Sequence, residues 1–479
     1  MAMAARASDE SLMTWTGEEI ARAVGAAPSA HGVTAGRVCT DSRRLAPDCL
    51  FVALRGATFD GHAFAAEALA RGAAAVLVDH RPEGVDPARA VVVPDTLRAL
   101  GDLAAWTRRR WGGRVAAITG SNGKTTTKEL LAAILERAWP GRVLKTHGNE
   151  NNLIGLPLTL IRLAGDEAAA VLEMGMNAFG EIARLTEIAA PDVGVITNVG
   201  PAHLEGVGSL DGVQRAKGEL FAGMPARGTI AVNMDDPRVA AAAAAFAGRR
   251  VEFGAGRAVR AEAIEDGGVD GVAFALCVDD GRAPVRLRAA GRHNVQNALA
   301  AAAAAHALGV DLAAIAAGLA DAEPPKMRMQ VVRLANGVTV INDAYNANPG
   351  STEAALDAVG RLPGRAIAAL GEMRELGPQA AALHAAVGAH AVAAGVAWVL
   401  AVGPGAESIA DGARRAGGAA VDVCADAAAA AALIAARWQA GDTVLVKGSR
   451  GGDGEPGVRR YGARMAEVVA LLQAAAGAS

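Results

Sequence analysis

Residues 114–131 read RVAAITGSNGKTTTKELL, and the fold of the surrounding chain follows from this stretch. Val115 to Ile118 form an apolar run ending at Thr119, as suits a buried strand. Gly120, Ser121, Asn122 and Gly123 make a tight turn, and Lys124 opens a helix. Its apolar residues Leu130, Leu131, Ile134, Leu135 and Ala138 share one face at a period near 3.6. A strand, a glycine turn and a helix N-terminus leave unpaired backbone N–H groups where an anion can sit. Lys124 adds a positive charge for the outer phosphates, the Thr125 hydroxyl stands ready for Mg²⁺, and Thr126 continues the cradle. An ordinary βα turn with a surface lysine is disfavoured, because glycine, lysine and three threonines fall in phosphate-cradling order. Gly120 and Gly123 are three apart rather than five, so the loop departs from the common G-x-x-x-x-G-K-[ST] pattern.

The whole chain narrows the possibilities. At 479 residues it exceeds a single core, so two to four domains are expected. It is 52% hydrophobic and 20% charged, and its 3% aromatic content is too low for base-stacking platforms on single-stranded nucleic acid. A formal net charge of −3 gives no general attraction to nucleic acid or acidic membranes. Cys39, Cys49, Cys277 and Cys424 are widely spaced and read as small buried hydrophobes of a reducing compartment. The N-terminal MAMAARASDESLMTW lacks the apolar core of a signal peptide. The alanine-rich stretch Ala391 to Val402 is too short to cross a bilayer. A cytoplasmic protein without membrane insertion is expected.

Residues 1–112 show short apolar runs, with strand candidates at Leu50–Leu54, Ala73–Val78 and Ala90–Val93. Arg43 and Arg55 flank the first of these, either as a phosphate grip or as ordinary exposed arginines. From Arg114 onward, strand and amphipathic helix alternate regularly, the pattern of a parallel sheet covered on both faces. Strands are expected at Val115–Thr119, Ala169–Glu173, Val193–Thr197 and Thr229–Asn233. Pro324-Pro325 reads as a hinge. Beyond it, candidates at Val338–Asn342, Ala366–Leu370, Val396–Val402 and Thr443–Val446 make a second α/β domain.

Ligands in such sheets collect at the strands' carboxyl ends, where several polar residues fall. Glu173 closes the apolar AVLEMG and is placed either to hold Mg²⁺ or to make a structural cap or ion pair. His203 follows the next strand at the same sheet edge, as a metal ligand or a structural histidine. Lys217, in QRAKGEL, reads by itself as a surface lysine, since an ammonium would be repelled from a metal site. Asn149, Asn151 and Asn152 offer neutral amide donors near the phosphates. Asn294 stands either as the N-cap of an alanine-rich helix or as a site residue. Asp343, at a strand end, is suited to accept from ribose hydroxyls.

Strung along the chain are DSRR (41–44), FVALRG (51–56) with DGH (60–62), TGSNGKTTTKE (119–129) and GNENNLIGLPLTL (148–160). They continue with EMGM (173–176), ITNVGPAHLEGVGS (196–209), AKGEL (216–220), GRHNVQNALAA (291–301), PPKMRMQ (324–330), INDAYNANP (341–349), LGEMRELG (370–377) and VLVKGSRG (444–451). Together these resemble the Mur ligase family, the ATP-dependent amide ligases of peptidoglycan precursor synthesis. The departure lies at 451–462, GGDGEPGVRRYG, longer and more polar than the family pattern. The resemblance implies an α/β chain of three domains. Residues 1–112 would bind the UDP-muramoyl peptide, 113–325 would form a central parallel-sheet phosphate-loop ATPase domain, and 326–479 a mobile Rossmann-like domain that closes on ATP and the amine.

The activity implied is amide ligation of D-alanyl-D-alanine to UDP-N-acetylmuramoyl-tripeptide through an acyl phosphate, by a monomer with no nucleic-acid partner. The resemblance also implies that Asp41, Ser42 and Arg43 meet the uridine diphosphate. Asn151, Asn152, Tyr345 and Asn346 count with the substrate residues. Lys124, Thr125 and Glu173 would hold ATP and a first Mg²⁺, and His203 and a carbamylated Lys217 a second Mg²⁺. Asn294 and Asn297 would face the adenine, and Arg328, Asp343 and Ser449 would reach the nucleotide across the cleft. A sister ligase adding the third peptide residue, a folate polyglutamate ligase, a motor or transport ATPase and an inactive UDP-sugar-binding regulator are the rivals. The DSRR and DGH segments have no evident use in a motor.

Overall fold

Short apolar runs, each followed by a turn and a covering helix, build three successive sheets along the chain. The computed structural model describes residues 13–27, 29–56, 58–449 and 465–477; the divergent segment 451–462 lies outside them. A small ribbon pairs Trp15–Thr16 (β1) with Thr34–Ala35 (β2). Arg37–Cys39 (β3), Cys49–Val52 (β4), Ala75–Val78 (β5) and Ala90–Val92 (β6) then form a parallel sheet in that order.

The helix Thr96–Trp111 leads out of this first unit, capped by Asp95 at its start and ended by Gly112 at φ 69°. It is fixed to the second unit as it goes. Arg108 Nε donates to Ala189 O at 3.0 Å, and Arg184 pairs with Asp102 at 2.6 Å. Beneath these bonds, Leu50, Leu77, Leu100 and Leu103 pack in one apolar core with Leu156, Leu160, Leu172 and Ile182. The first two units therefore share a hydrophobic interior.

The central sheet contains Arg114–Thr119 (β7), Val143–Lys145 (β8), Ala169–Glu173 (β9), Val193–Ile196 (β10), Thr229–Asn233 (β11), Arg249–Phe253 (β12), Val259–Asp266 (β13), Val272–Val278 (β14) and Gly281–Leu287 (β15). Its order is β15-β14-β13-β12-β11-β10-β7-β9-β8. β7 lies between β9 and β10, so the chain winds away in both directions from it, and the loop after β7 opens into the crevice at this switch point. Pairing is parallel from β8 through β13, but β14 and β15 run antiparallel. The sequence reading took the alternation of strand and helix as continuous and did not include this ribbon. A two-residue turn at Asp279-Asp280, with Asp279 at φ 50°, joins its last two strands.

The third sheet comprises Gln330–Arg333 (β16), Thr339–Asp343 (β17), Ala366–Gly371 (β18), Trp398–Val402 (β19), Ala420–Cys424 (β20) and Thr443–Lys447 (β21). It is ordered β16-β17-β21-β18-β19-β20 and is parallel except for β16. After Pro324-Pro325, the connection bends through Met327 and Met329, at φ 58° and 48°. Two separate apolar cores line the faces of this third sheet. It meets the central unit through polar links such as Arg333 to Asp270, and through Val269, which packs against one of these cores.

The abundance of alanine and glycine has a packing reason. Helices Ala380–Ala393 and Ala406–Ala416 touch backbone to backbone: a Cβ on Gly388 would lie 1.9 Å from Ile409 O, and one on Gly412 would lie 1.9 Å from Ala385 O. Gly412→Val should force these helices apart and destabilise the third unit by about 1–3 kcal/mol or more. A fall in its thermal or denaturant midpoint would show this; an unchanged midpoint would mean that the contact is looser than described.

Candidate active site

The turn Gly120–Gly123 is fixed mainly by residues leaving β10. Ser121 N donates to Asn198 O at 3.0 Å, Asn122 N to Asn198 Oδ1 at 2.9 Å, and Thr197 Oγ1 to Asn122 O at 2.6 Å. At Gly120, φ is 147° and a Cβ would lie 1.8 Å from Thr197 Oγ1. At Gly123, φ is 81° and a Cβ would lie 2.1 Å from Asn297 Oδ1. Only glycine fits either position. Gly123 caps the helix Lys124–Ala138 without a side chain, so the first-turn N–H groups remain available at the cleft.

Lys124 folds back over the turn, its Nζ donating to Gly120 O at 2.6 Å and Ser121 O at 3.2 Å. Desolvation by the surrounding protein holds its ammonium below the usual lysine range; Glu173 opposes this, Arg328 adds to it, and Glu375 opposes it again. Lys124 is thus the electrostatic hub of the region.

Glu173 ends β9 beside the turn and is 2% exposed. Its Oε1 accepts from Asn151 Nδ2 at 2.8 Å, while Oε2 has no hydrogen-bond partner. An anionic oxygen buried without a donor suits a hard divalent cation. His203, at φ 55°, precedes the short helix Leu204–Val207, and its Nδ1 lies 2.5 Å from Glu375 Oε2 of the third unit. That contact holds the Glu375 carboxyl below the usual range, against the opposing effect of burial.

Lys217 corrects the plain sequence reading of a surface lysine. It shares the inward face of the helix Leu210–Gly223 with Val213, Ala216 and Leu220, and is 1% exposed. Burial pushes its ammonium well below the usual lysine range, and the nearby Lys124 cation pushes it further. Its amine has no side-chain hydrogen bond or ion pair among the described residues.

On the far side of the turn, a cleft of about 660 Å³ separates the central and third units. Gly123, Lys124, Thr125, Thr126, Asn294 and Asn297 line one wall, and Asp343, Asn346, Asn348 and Lys447 the other, with Arg328 at the joint. The N-cap reading of Asn294 is overturned: the helix begins at His293 behind Arg292, and Asn294 Nδ2 donates to Ala290 O at 2.7 Å. Asn297 Nδ2 in turn donates to Asn294 Oδ1 at 2.9 Å, which sets its oxygen against Gly123.

Arg328 donates to Thr125 Oγ1 at 2.9 Å and lies 4.2 Å over the Tyr345 ring. Asn348 Nδ2 reaches Asn122 Oδ1 at 2.7 Å from the N-cap of the helix Pro349–Gly360. Asp343 receives Lys447 Nζ at 2.5 Å and Met329 N at 3.0 Å, and Lys447 also donates to Asn346 O at 3.0 Å. The sequence reading did not single out Lys447, Asn348 or Glu375 as site residues. Lys447 was legible in principle, since it ends β21 and pairs in register with Asp343 at the end of β17.

Other expected site residues lie elsewhere or are otherwise engaged. Asp41 caps the turn Ser42–Arg44 and is bound by Arg43 at 2.9 and 2.8 Å, all on the first unit outside this cleft. Its hydrogen bonds to Arg43 hold its carboxyl at about 2. Asn152 Oδ1 accepts from Ile154 N and Gly155 N at the start of the helix Gly155–Ile161. The Ser449 hydroxyl donates to Ala347 O and accepts from Arg374 N, both at 3.1 Å. His62, of the DGH turn, is 3% exposed, with Nε2 accepting from Asp79 N at 3.0 Å and Nδ1 2.5 Å from Asp60 Oδ1.

Three family models cover these units: the Mur ligase family catalytic domain at residues 35–108, the Mur ligase middle domain at 118–305, and the Mur ligase glutamate ligase domain at 327–450. The UDP-N-acetylmuramoyl-tripeptide–D-alanyl-D-alanine ligase of Escherichia coli is 41% identical over 444 residues, covering 92% of this chain and 94% of that one. The chain belongs to the Mur ligase family. Among Mur ligases of known structure, MurF from Acinetobacter baumannii superposes with a TM-score of 0.87 at 33% identity, covering 97% of this chain and 99% of that one. MurF from Thermotoga maritima in complex with ADP gives 0.80 at 28% identity, covering 92% and 98%. The α/β architecture is thus that of these Mur ligases along nearly the whole chain.

The contact between Gly123 and Asn297 generates a direct test. Gly123→Ala imposes about 1–2 kcal/mol of left-handed backbone strain and drives a methyl group into Asn297. ADP affinity, measured by calorimetric titration, should fall by about tenfold or more. Unchanged affinity would separate this turn from nucleotide binding.

Proposed function

We propose that the protein is the ATP-dependent ligase that joins D-alanyl-D-alanine to UDP-N-acetylmuramoyl-tripeptide, giving UDP-N-acetylmuramoyl-pentapeptide, ADP and phosphate. The observation that carries this reading is the near end-to-end likeness to the Escherichia coli ligase of that name. The phosphate turn, the open Glu173 oxygen and the cleft against the third unit supply the matching chemistry. In this reading, residues 1–112 bind the UDP-muramoyl peptide through Asp41, Ser42 and Arg43. Residues 113–325 bind ATP, and residues 326–479 close over it with the amine. No described helix is long and apolar enough to cross a membrane, and the proposed site of action is the cytoplasm, where ATP is at hand.

The chemistry runs in two steps. The γ-phosphoryl group of ATP passes to the tripeptide's terminal carboxylate, giving an acyl phosphate and ADP. The free amine of D-alanyl-D-alanine then attacks the acyl carbon, a tetrahedral intermediate forms, and phosphate leaves. Lys124 and the N–H groups of its helix counter charge on the transferred phosphoryl oxygens. Asn294 and Asn297 on one wall, Asp343 on the other and Arg328 at the joint grip the nucleoside. Asn346, in the cleft lining, and Tyr345, under Arg328, lie beside them and count with the residues that meet the amine substrate. The third unit excludes water that would otherwise hydrolyse the acyl phosphate.

Thr125 and Glu173 would hold one Mg²⁺, and His203 and a modified Lys217 a second; bound there, the ions neutralise phosphate charge and orient the oxygens. The buried Lys217 amine, whose ammonium form is disfavoured by burial and by the nearby Lys124 cation, suits carbamylation: Nζ attacks CO₂, a C–N bond forms as a C–O π bond opens and a proton leaves, giving an anion beside that cation. With ¹³C-labelled bicarbonate, NMR should show a carbamate signal that disappears in Lys217→Ala. A spectrum identical for both proteins would remove the modification from the proposal.

Substrate dependence tests the reaction itself. ADP release should require UDP-N-acetylmuramoyl-tripeptide, and D-alanyl-D-alanine alone should not trigger it. The corresponding dipeptide should serve poorly, because one residue fewer leaves the carboxylate about 3.5 Å short of the γ-phosphate. Rapid ADP release without any UDP-sugar peptide would overturn the ligase reading. A preference for the dipeptide with a free amino acid would move the protein to the ligase that adds the third residue.

A further inference from the structure

Lys128 is 1% exposed, one of the largest fully buried side chains in the molecule, and it touches neither the cleft nor the phosphate turn. A buried ammonium is costly unless its hydrogen bonds are satisfied. Lys128 meets that requirement by donating to Thr146 O at 2.8 Å and pairing with Glu129 Oε1 at 2.9 Å. The other Glu129 oxygen is held by Lys145 at 2.5 Å, so the pair is anchored to β8 as well as to its own helix.

Thr146 carries the connection onward. Fully buried, it donates its N–H to Val171 O at 3.0 Å, and its hydroxyl oxygen accepts from Glu173 N at 2.9 Å. The carboxylate of Glu173 is held from the other end by Asn151 Nδ2 at 2.8 Å. Asn151 is itself clamped, its carbonyl accepting from Gly175 N at 2.8 Å. A Cβ on Gly175 would lie 2.8 Å from Asn151 Oδ1, so the EMGM turn leaves room for this amide. Both the backbone and one oxygen of Glu173 are therefore fixed by residues that do not line the cleft, and only Oε2 is left open.

We propose that Lys128, Thr146 and Asn151 are positioning residues that aim the free Glu173 oxygen at the cation of the phosphate site. This assigns Asn151 to the carboxylate rather than to the substrate, and gives the lysine that follows the three threonines a part in cation binding through Thr146. The inference rests on the proposed reading of Glu173 as a cation ligand.

The test uses the full-length protein and Mn²⁺ as a spectroscopic probe, with free Mn²⁺ measured by electron paramagnetic resonance in the presence of ADP. Partners that orient a metal ligand typically contribute about 10–100-fold in metal affinity. Lys128→Met and Asn151→Ala should each weaken Mn²⁺ binding by about that factor. ADP affinity without metal should stay at the wild-type value, and Lys128→Arg should recover part of the loss. Asn151→Ala keeps the test decisive if Lys128→Met does not fold. Wild-type Mn²⁺ affinity in Asn151→Ala, or in a folded Lys128→Met, overturns the positioning role. Glu173→Gln separates this result from failure of the parent reading. Mn²⁺ binding lost there but retained in the other variants leaves Glu173 a ligand without these supports. Binding retained in Glu173→Gln removes Glu173 from the cation site altogether, and the positioning role with it.

Discussion

There is no room for a methyl group at residue 120 or 123, and the architecture around the cleft depends on that constraint. Gly120 lets β7 pass beneath Thr197, and Gly123 lets the next helix begin against Asn297. Each close approach joins the turn to a different element, one leaving β10 and the other on the helix His293–Ala307. The turn is therefore set by tertiary packing rather than by its own hydrogen bonds. Because β7 is flanked by β9 and β10, the same packing brings Glu173 and Asn198 to either side of it.

The charges gathered there explain what the cleft is suited to hold. Burial disfavours the charged forms of Lys124 and Lys217 alike; Glu173 and Glu375 offset this at Lys124, whereas the Lys124 cation adds to it at Lys217. Across the opening, Arg328 rests on a threonine hydroxyl and an aromatic face rather than in the grip of a carboxylate. A polyanion with its cations would relieve these arrangements together, whereas a neutral ligand would leave them uncompensated. Glu173 supplies the complementary half, an acceptor that lacks a donor. Buried cationic side chains and an open carboxylate oxygen thus meet at one sheet edge.

Much of this was legible in the residues alone. The strand at Ala169–Glu173 and the strand at Thr229–Asn233 have the limits expected from their apolar runs. Others differ by a residue or two, because apolar runs outlast the hydrogen-bonded ladder: Leu54 is buried, yet it lies beyond the end of β4. The antiparallel ribbon β14–β15 is harder to see, because its alternation of more and less buried residues is irregular and lies between stronger signals. Pattern by itself reads Lys217 as a surface residue for a physical reason, although it is buried. Periodicity places it on the same face as Val213 and Leu220, but a charged side chain argues for solvent. Cross-cleft partners such as Glu375 for His203 could not be found by local pattern, because they depend on how two separately folded sheets meet.

The two junctions of the molecule differ in kind, and this governs how it can come apart. The first and central units are joined by a common apolar interior, with Leu50 and Leu100 in the same cluster as Leu160 and Leu172. The third keeps two apolar cores of its own. It meets the central unit through polar links, including Arg328 to Thr125, Asn348 to Asn122 and Arg333 to Asp270, and through the apolar side chain of Val269, packed against one of those cores. Separating surfaces of the first kind exposes hydrocarbon to water and costs free energy in proportion to area. Separating surfaces of the second kind exchanges each bond for one to solvent, at little net cost. Damage to the small N-terminal sheet would therefore spread into the nucleotide-binding core as one cooperative collapse, while the C-terminal sheet, whose two apolar cores are its own, stands apart from it.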